Sequence, residues 1–185
     1  MLPFKLVFSN GFYLPIGEHV FPAQKYRLVH QQLLEMKVAG PEDFIAPPPA
    51  TDEDVLLVHA HEYVDKLRMG TLSAREELQL EIPYSRELVE AFWLTTGGSI
   101  LAADSALKDR IGINIGGGFH HAFPDHGEGF CLINDVAIAI RRLQKDGAVR
   151  TALVVDTDVH QGNGTAGIFG GDGDVFTLSI HQESN

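Results

Sequence analysis

Thr151-Ala152-Leu153-Val154-Val155-Asp156-Thr157-Asp158-Val159-His160-Gln161-Gly162-Asn163-Gly164 decides how this chain is read. Its first half is an apolar run, Ala152 to Val155, of the kind that forms a strand buried on both faces of a parallel sheet. It then breaks into a polar loop with two glycines. In open α/β sheets ligands bind in the crevice beyond the carboxyl ends of the strands, and Asp156, Asp158 and His160 would stand there. Asp158 and His160 are two residues apart, so on an extended strand end their side chains point the same way. Oxygen and nitrogen donors together suit Zn²⁺ or another divalent transition metal. A catalytic zinc site usually takes three protein ligands and keeps an open position; this motif supplies two of them.

Upstream the pattern repeats. The strand-like run Ile111-Gly112-Ile113-Asn114-Ile115 leads into Gly116-Gly117-Gly118-Phe119-His120-His121. Glycine permits backbone conformations closed to other residues, so the loop can bend sharply and aim the two histidines. Histidine is the side chain best poised to exchange protons near neutral pH. Each ring needs a partner on its second nitrogen to set its tautomer; Asp156 and Asn163, which bracket the metal motif, are the candidates. Between the two motifs lies Gly127-Glu128-Gly129-Phe130-Cys131. Gly129 allows close backbone approach to a ligand, Phe130 is a candidate wall for an apolar slot, and Cys131 reads as a small buried residue. His59 and His61 read as exposed polar residues at a helix start, Asp125-His126 as loop surface, and Arg141-Arg142 as a solvated helix face.

Outward from the motifs, helical and strand patterns alternate. Strands are expected at Lys5–Ser9, Ile111–Ile115, Thr151–Val155 and Val175–Ile180. Helices are expected over Pro22–Val38, from Thr51, over His61–Met69, from Ser85 as N-cap to about Leu107, and over Asp135–Gln144. Small residues Gly97, Gly98, Ala102 and Ala103 would let the long helix pack closely against a neighbour. Arg75–Pro83 and the stretch from Gly162 to the last strand read as irregular. This order predicts βαβ units: a three-layer α/β/α fold with a mostly parallel sheet, in one domain over residues 1–185. A doubly wound sheet would continue past the last strand, so the fold is expected to be incomplete at its C-terminal end.

The formal net charge of −11 argues against nucleic-acid binding, which needs a basic face. One cysteine leaves no intrachain disulfide, which fits a reducing compartment. The N-terminus is interrupted too early for a signal peptide, and no apolar run is long enough for a membrane span. A cytoplasmic protein is expected.

The three motifs, Gly116–His121, Gly129-Phe130-Cys131 with Asn134-Asp135, and Asp156–Thr165, together resemble the zinc-dependent histone deacetylase superfamily. That superfamily includes acetoin-utilisation proteins and acetylpolyamine amidohydrolases and shares its fold with arginase. Gln161 and Asn163 resemble the class IV and bacterial members. The resemblance implies a metal-dependent amidohydrolase that removes an acetyl or other acyl group from acetyl-lysine, a polyamine or a small N-acyl substrate. It implies one catalytic Zn²⁺ on Asp158 and His160. His120 and His121 become the acid–base pair, oriented by Asp156 and Asn163, with Gly129 and Phe130 lining the acyl-lysine slot. A monovalent cation, K⁺ or Na⁺, would sit at Asp156, Asp158, His160, Ser179 and Ile180. The family's third ligand, an Asp, and its oxyanion-stabilising Tyr find no counterpart here. The chain would then be roughly the N-terminal 60% of a catalytic domain. Two other readings stay open: a dimanganese ureohydrolase of the arginase type, and a binding module that holds an acylated ligand without turning it over.

Overall fold

The computed structural model describes residues 1–183; Ser184 and Asn185, the last residues of the expected domain, lie outside the described residues. In chain order the elements are β1 (Leu6–Val7), α1 (Lys25–Glu35), β2 (Phe44–Ile45), α2 (Asp52–Val55), α3 (His61–Met69), α4 (Ala74–Leu80), α5 (Arg86–Asp109), β3 (Ile113–Asn114), α6 (Asp135–Lys145), β4 (Ala152–Asp156), α7 (Asn163–Phe169) and β5 (Val175–Ser179). Every strand pairing is parallel. One sheet has the order β2-β1-β3; β4 and β5 pair separately, with Asp156 registered opposite Ser179. Within each sheet parallel pairing places the loops that follow the strands at one end, and the loops after β3 and β4 line one cleft.

The central element is α5. Ser85 caps it by accepting from the Leu88 N–H at 3.0 Å, and its 24 residues span about 36 Å at 1.5 Å per residue. Leu88, Phe92 and Trp93 are buried on it, in one core with Phe12, Leu132 and Ile133. Each such side chain contributes about 1.5–3 kcal/mol by leaving water. The small residues let the backbone approach: a side chain at Gly97 would strike the Pro48 carbonyl, and one at Gly98 would meet Asn114 and Phe12 within 2.9 Å. On β4 and β5 the side chains alternate. Ala152, Val154, Val175 and Thr177 turn inward, whereas Leu153, Val155, Phe176 and Leu178 are exposed. This face of the sheet is uncovered among the described residues, unlike the sheet expected to be covered on both faces.

Two stretches read as irregular are helices. α4 starts on a capping box: Glu76 N–H donates to Ser73 Oγ at 3.3 Å, and Ser73 N–H donates to Glu76 Oε2 at 2.7 Å. These bonds from Ser73, with Lys66 beside it, hold the Glu76 carboxyl at about 2. α7 forms despite two glycines because tertiary contact overrides propensity. Gly164 sits against the His121 and Ala122 backbone and Gly167 against the Phe123 ring, where a methyl group would come within 2.5–2.9 Å.

Two surface readings also give way. His59 is 2% exposed. Arg141 pairs with Asp172 at 2.6 Å and lies over the Phe169 ring, while Arg142 pairs with Asp54 at 2.5 Å, because α6 faces α2 and α7 rather than water.

Candidate active site

The loop after β3 owes its shape to a buried carboxylate. Gly117 and Gly118 have φ of +83° and +84°, a conformation that favours glycine, and a side chain at Gly117 would collide with Asp135. Asp135, fully buried at the start of α6, accepts from the Gly118 N–H at 3.0 Å and the Phe119 N–H at 2.8 Å, and also from Ser99 Oγ. Burial pushes its carboxyl up, against the pull of those bonds. Phe119 is thereby anchored in the core beside Phe92, with ring centroids 4.3 Å apart. The chain then turns, and His120 and His121 leave it together, their centroids 4.1 Å apart.

Each histidine meets a different partner. His120 Nδ1 lies 2.6 Å from Asp156 Oδ2, and His121 Nδ1 lies 2.7 Å from Asn163 Oδ1. α7 docks directly on this loop: Thr165 N–H donates to the His120 carbonyl at 3.0 Å. Burial lowers the pKa of His121, assisted by the neighbouring His120 and His160 and opposed by the bond to Asn163.

Asp158 and His160 do come together, but not on an extended strand. β4 ends at Asp156, and residues 158–160 bend. Asp158 Oδ1 accepts from its neighbour's backbone, His160 N–H at 2.8 Å, and lies 2.9 Å from His160 Nδ1. This side-chain-to-backbone turn is typical of Asp, and it gathers the pair more tightly than a pleat would. Partial burial works to raise the Asp158 carboxyl, but the bonds from His160 and the nearby imidazoles hold it below the ordinary value. His120 Nε2 stands 3.9 Å from Asp158 Oδ1, and the His121 and His160 rings are 5.8 Å apart. Four side chains from two loops thus face one point.

A tight turn completes the wall. Glu128 and Cys131 bridge each other, with N–H to carbonyl distances of 3.1 and 2.9 Å. Gly129 and Phe130 between them have φ of +52° and +67°, the signature of a two-residue hairpin turn with both central residues left-handed. Phe130 is not glycine, so it stores about 1–3 kcal/mol of strain. α4 holds the turn in place: the Gln79 and Leu80 carbonyls accept from the Gly129 and Phe130 N–H groups at 3.3 and 3.0 Å. Phe130 faces Phe21 and His19 edge-on, at centroid distances of 6.1 and 4.9 Å.

Residues 19–185 match the family model described as the histone deacetylase domain. The chain belongs to the histone deacetylase family. It is 43% identical over 183 residues to an uncharacterized protein of Picosynechococcus, covering 98% of this chain and 61% of that one. It is 34% identical to the acetoin utilization protein AcuC of Bacillus subtilis, covering 89% of this chain and 45% of that protein. Among solved structures, an HDAC homolog complexed with SAHA superposes with a TM-score of 0.81 at 29% identity, covering 97% of this chain and 51% of that one. An HDAC homolog from Aquifex aeolicus superposes equally well at 28% identity. The three-layer α/β arginase/deacetylase fold expected from the sequence is therefore the fold of this chain. The chain spans between about half and three-fifths of the length of the curated relatives it matches.

In this deacetylase-family chain the two loops and the turn enclose a cleft of about 540 Å³, lined by His120, His121, Gly129, Phe130, Asp158 and His160 and closed on its far side by Phe21 and Lys25. Burial lowers the Lys25 ammonium, with Asp158 opposing, and Lys25 Nζ sits 4.2 Å over the Phe21 ring. The donors Asp158 and His160 fit a divalent cation in kind: one carboxylate and one imidazole, both half-exposed and converging. Among the described residues no group of three or more His, Cys, Asp or Glu is arranged to hold a metal ion. At the strand ends the structure brings Asp156 and Ser179 together and sets Ile180 N–H on the Asp156 carbonyl at 2.9 Å, with Gly162 N–H on Ser179 Oγ at 3.2 Å. Among the described residues no helix is long and apolar enough to cross a membrane.

Sequence reasoning missed three supports of this site. Asp135 was seen only as part of a motif. Gln79 lay in a segment read as irregular, although Ser73 and Glu76 are spaced as a capping box. Glu128 stands between two glycines and shows no motif of its own; it accepts from Asn163 Nδ2 at 2.7 Å and from Gln79 Nε2 at 3.2 Å.

Proposed function

We propose that the intact protein is a metal-dependent deacylase that hydrolyses an N-acetyl or related N-acyl amide such as acetyl-lysine. The observation that carries this reading is the unequal pairing of the two histidines. His120 faces a carboxylate, whereas His121 faces a neutral amide and has a pKa lowered by burial, which favours a neutral imidazole. A general base must be neutral at working pH, and that assigns the role to His121.

Asp158 and His160 would hold the divalent cation, Zn²⁺ in this reading, which when bound supplies Lewis-acid polarisation of the acyl carbonyl. His121 Nε2 takes a proton from the attacking water and returns it to the leaving amine. His120, held in place by Asp156 at 2.6 Å, tunes the electrostatics beside His121. Phe130 and Phe21 form an apolar slot for the aliphatic stem of an acyl-lysine, with Gly129 at its wall. A K⁺ or Na⁺ ion at Asp156, Asp158, His160, Ser179 and Ile180 would brace the ends of β4 and β5. Family membership and the similarity to AcuC and to an HDAC homolog complexed with SAHA support the class of substrate. The test is hydrolysis of an acetyl-lysine peptide and of acetylated polyamines by the intact protein with added zinc. Turnover that is lost in His121→Ala supports the reading; tight binding of the peptide with no turnover in any metal would replace it with a binding module.

A further inference from the structure

We propose that Glu128 is a positioning residue that fixes the orientation of the Asn163 amide and, through it, the tautomer of His121. The inference rests on His121 being the general base, as proposed above.

An amide side chain can face its neighbours either way round, and its partners decide which. Asn163 has three. Its Oδ1 meets His121 Nδ1 at 2.7 Å and accepts from the Gly164 N–H at 2.9 Å; its Nδ2 donates to Glu128 Oε1 at 2.7 Å. An ionised carboxylate only accepts, so Glu128 can face nothing but the NH₂ end. Burial works to raise the Glu128 carboxyl, but the bonds from Asn163 and Gln79, with His126 and His121 nearby, keep it lowered and therefore ionised. A reversed amide would set oxygen against the Glu128 carboxylate and NH₂ against the Gly164 N–H. With the oxygen toward the ring, His121 Nδ1 must carry the proton, which leaves Nε2 as the lone-pair nitrogen turned to the cleft. Reversed, the amide would take the lone pair on Nδ1 and put a proton on Nε2, where a base is needed.

Glu128 is itself aimed by the structure. The Glu128–Cys131 bridge and the two left-handed residues between them fix its backbone, and α4 supplies the Gln79 bond at 3.2 Å to its second oxygen. The same turn that presents Phe130 to the cleft therefore presents Glu128 to Asn163, coupling the substrate wall to the proton-transfer pair.

The test uses the intact protein, with histidine side-chain nitrogen NMR to read the tautomer and steady-state kinetics to read turnover. In the wild type the neutral His121 ring carries its proton on Nδ1. Glu128→Leu removes the acceptor; the signal is expected to move toward the Nε2–H form, and kcat to fall about 10–100-fold with little change in KM. Glu128→Gln retains an acceptor and is expected to lose less of both. Adding Asn163→Asp to Glu128→Leu puts oxygen on both ends of the partner, so the Nδ1–H signal and most of the lost kcat should return. A merely structural role for Glu128 would not be rescued in this way. An unchanged Nδ1–H signal in Glu128→Leu, or a double variant no better than Glu128→Leu, would overturn the proposal. A wild type without turnover, whose tautomer still shifts in Glu128→Leu, would overturn the hydrolase reading while supporting the positioning role.

Discussion

Acid should destabilise this protein through one buried histidine. His59 is 2% exposed, and its Nε2 accepts from the Asn134 N–H at 3.0 Å, so Nδ1 carries the proton. Burial lowers its pKa to about 4, opposed only partly by the Phe123 and Pro124 backbone, to which Nδ1 makes no well-formed hydrogen bond. The folded state therefore resists protonation between the ordinary value of 6.5 and about 4, while the unfolded chain accepts a proton. Stability is full above that window and is lost as pH falls through it. At 1.36 kcal/mol per pH unit the loss is about 3 kcal/mol, a large share of the 5–15 kcal/mol typical of a domain. His59→Gln keeps an acceptor for Asn134 and cannot titrate. Urea midpoints measured from pH 7.5 to 4.5 should converge: the variant starts lower and loses less, and the difference between the two proteins should narrow by about 3 kcal/mol. Parallel curves would refute the reasoning. The consequence reaches the site, because Asn134 also donates to Thr165 Oγ1 at 3.0 Å and caps α6 by accepting from Ala137 N–H at 3.0 Å.

Further consequences follow from the same geometry. Gly164→Ala would press a methyl group onto the His121 and Ala122 backbone at about 2.5 Å; a loss of about 1–3 kcal/mol from overpacking and of most activity is expected, by thermal melting and peptide assay, and an unperturbed melt would show that α7 does not dock there. The lowered pKa of His121 keeps it neutral as pH drops, so the acid limb of kcat/KM should have its midpoint below 6.5; a midpoint at or above that value would remove His121 as the base. Asp158→Ala and His160→Ala should each reduce bound zinc on mass spectrometric titration, and normal zinc content in both would place the metal elsewhere.

Much of the fold was legible because its signals were local. Ser85 as a cap, the run of small residues on α5, and the apolar strands at β4 and β5 each declare themselves within a few residues. The candidate site was legible as two motifs after two strands. What stayed hidden depended on distant partners. α7 has the composition of a loop and becomes a helix because Gly164 and Gly167 fit surfaces that no larger residue would. The burial of His59 depends on its bond to Asn134, 75 positions away. Glu128 acquires its role only when Asn163 arrives from beyond β4. The reading of α4 as irregular is different: Ser73 and Glu76 carry a local capping signal within four residues.

The measurement that bears most directly on the function is turnover of an acetyl-lysine peptide by the intact protein with zinc, side by side with His121→Ala. Acetate release by the wild type, reduced about 10²–10⁴-fold in the variant with peptide binding retained, is the predicted result. Peptide binding without acetate release in the wild type, or equal release by both proteins, would contradict it.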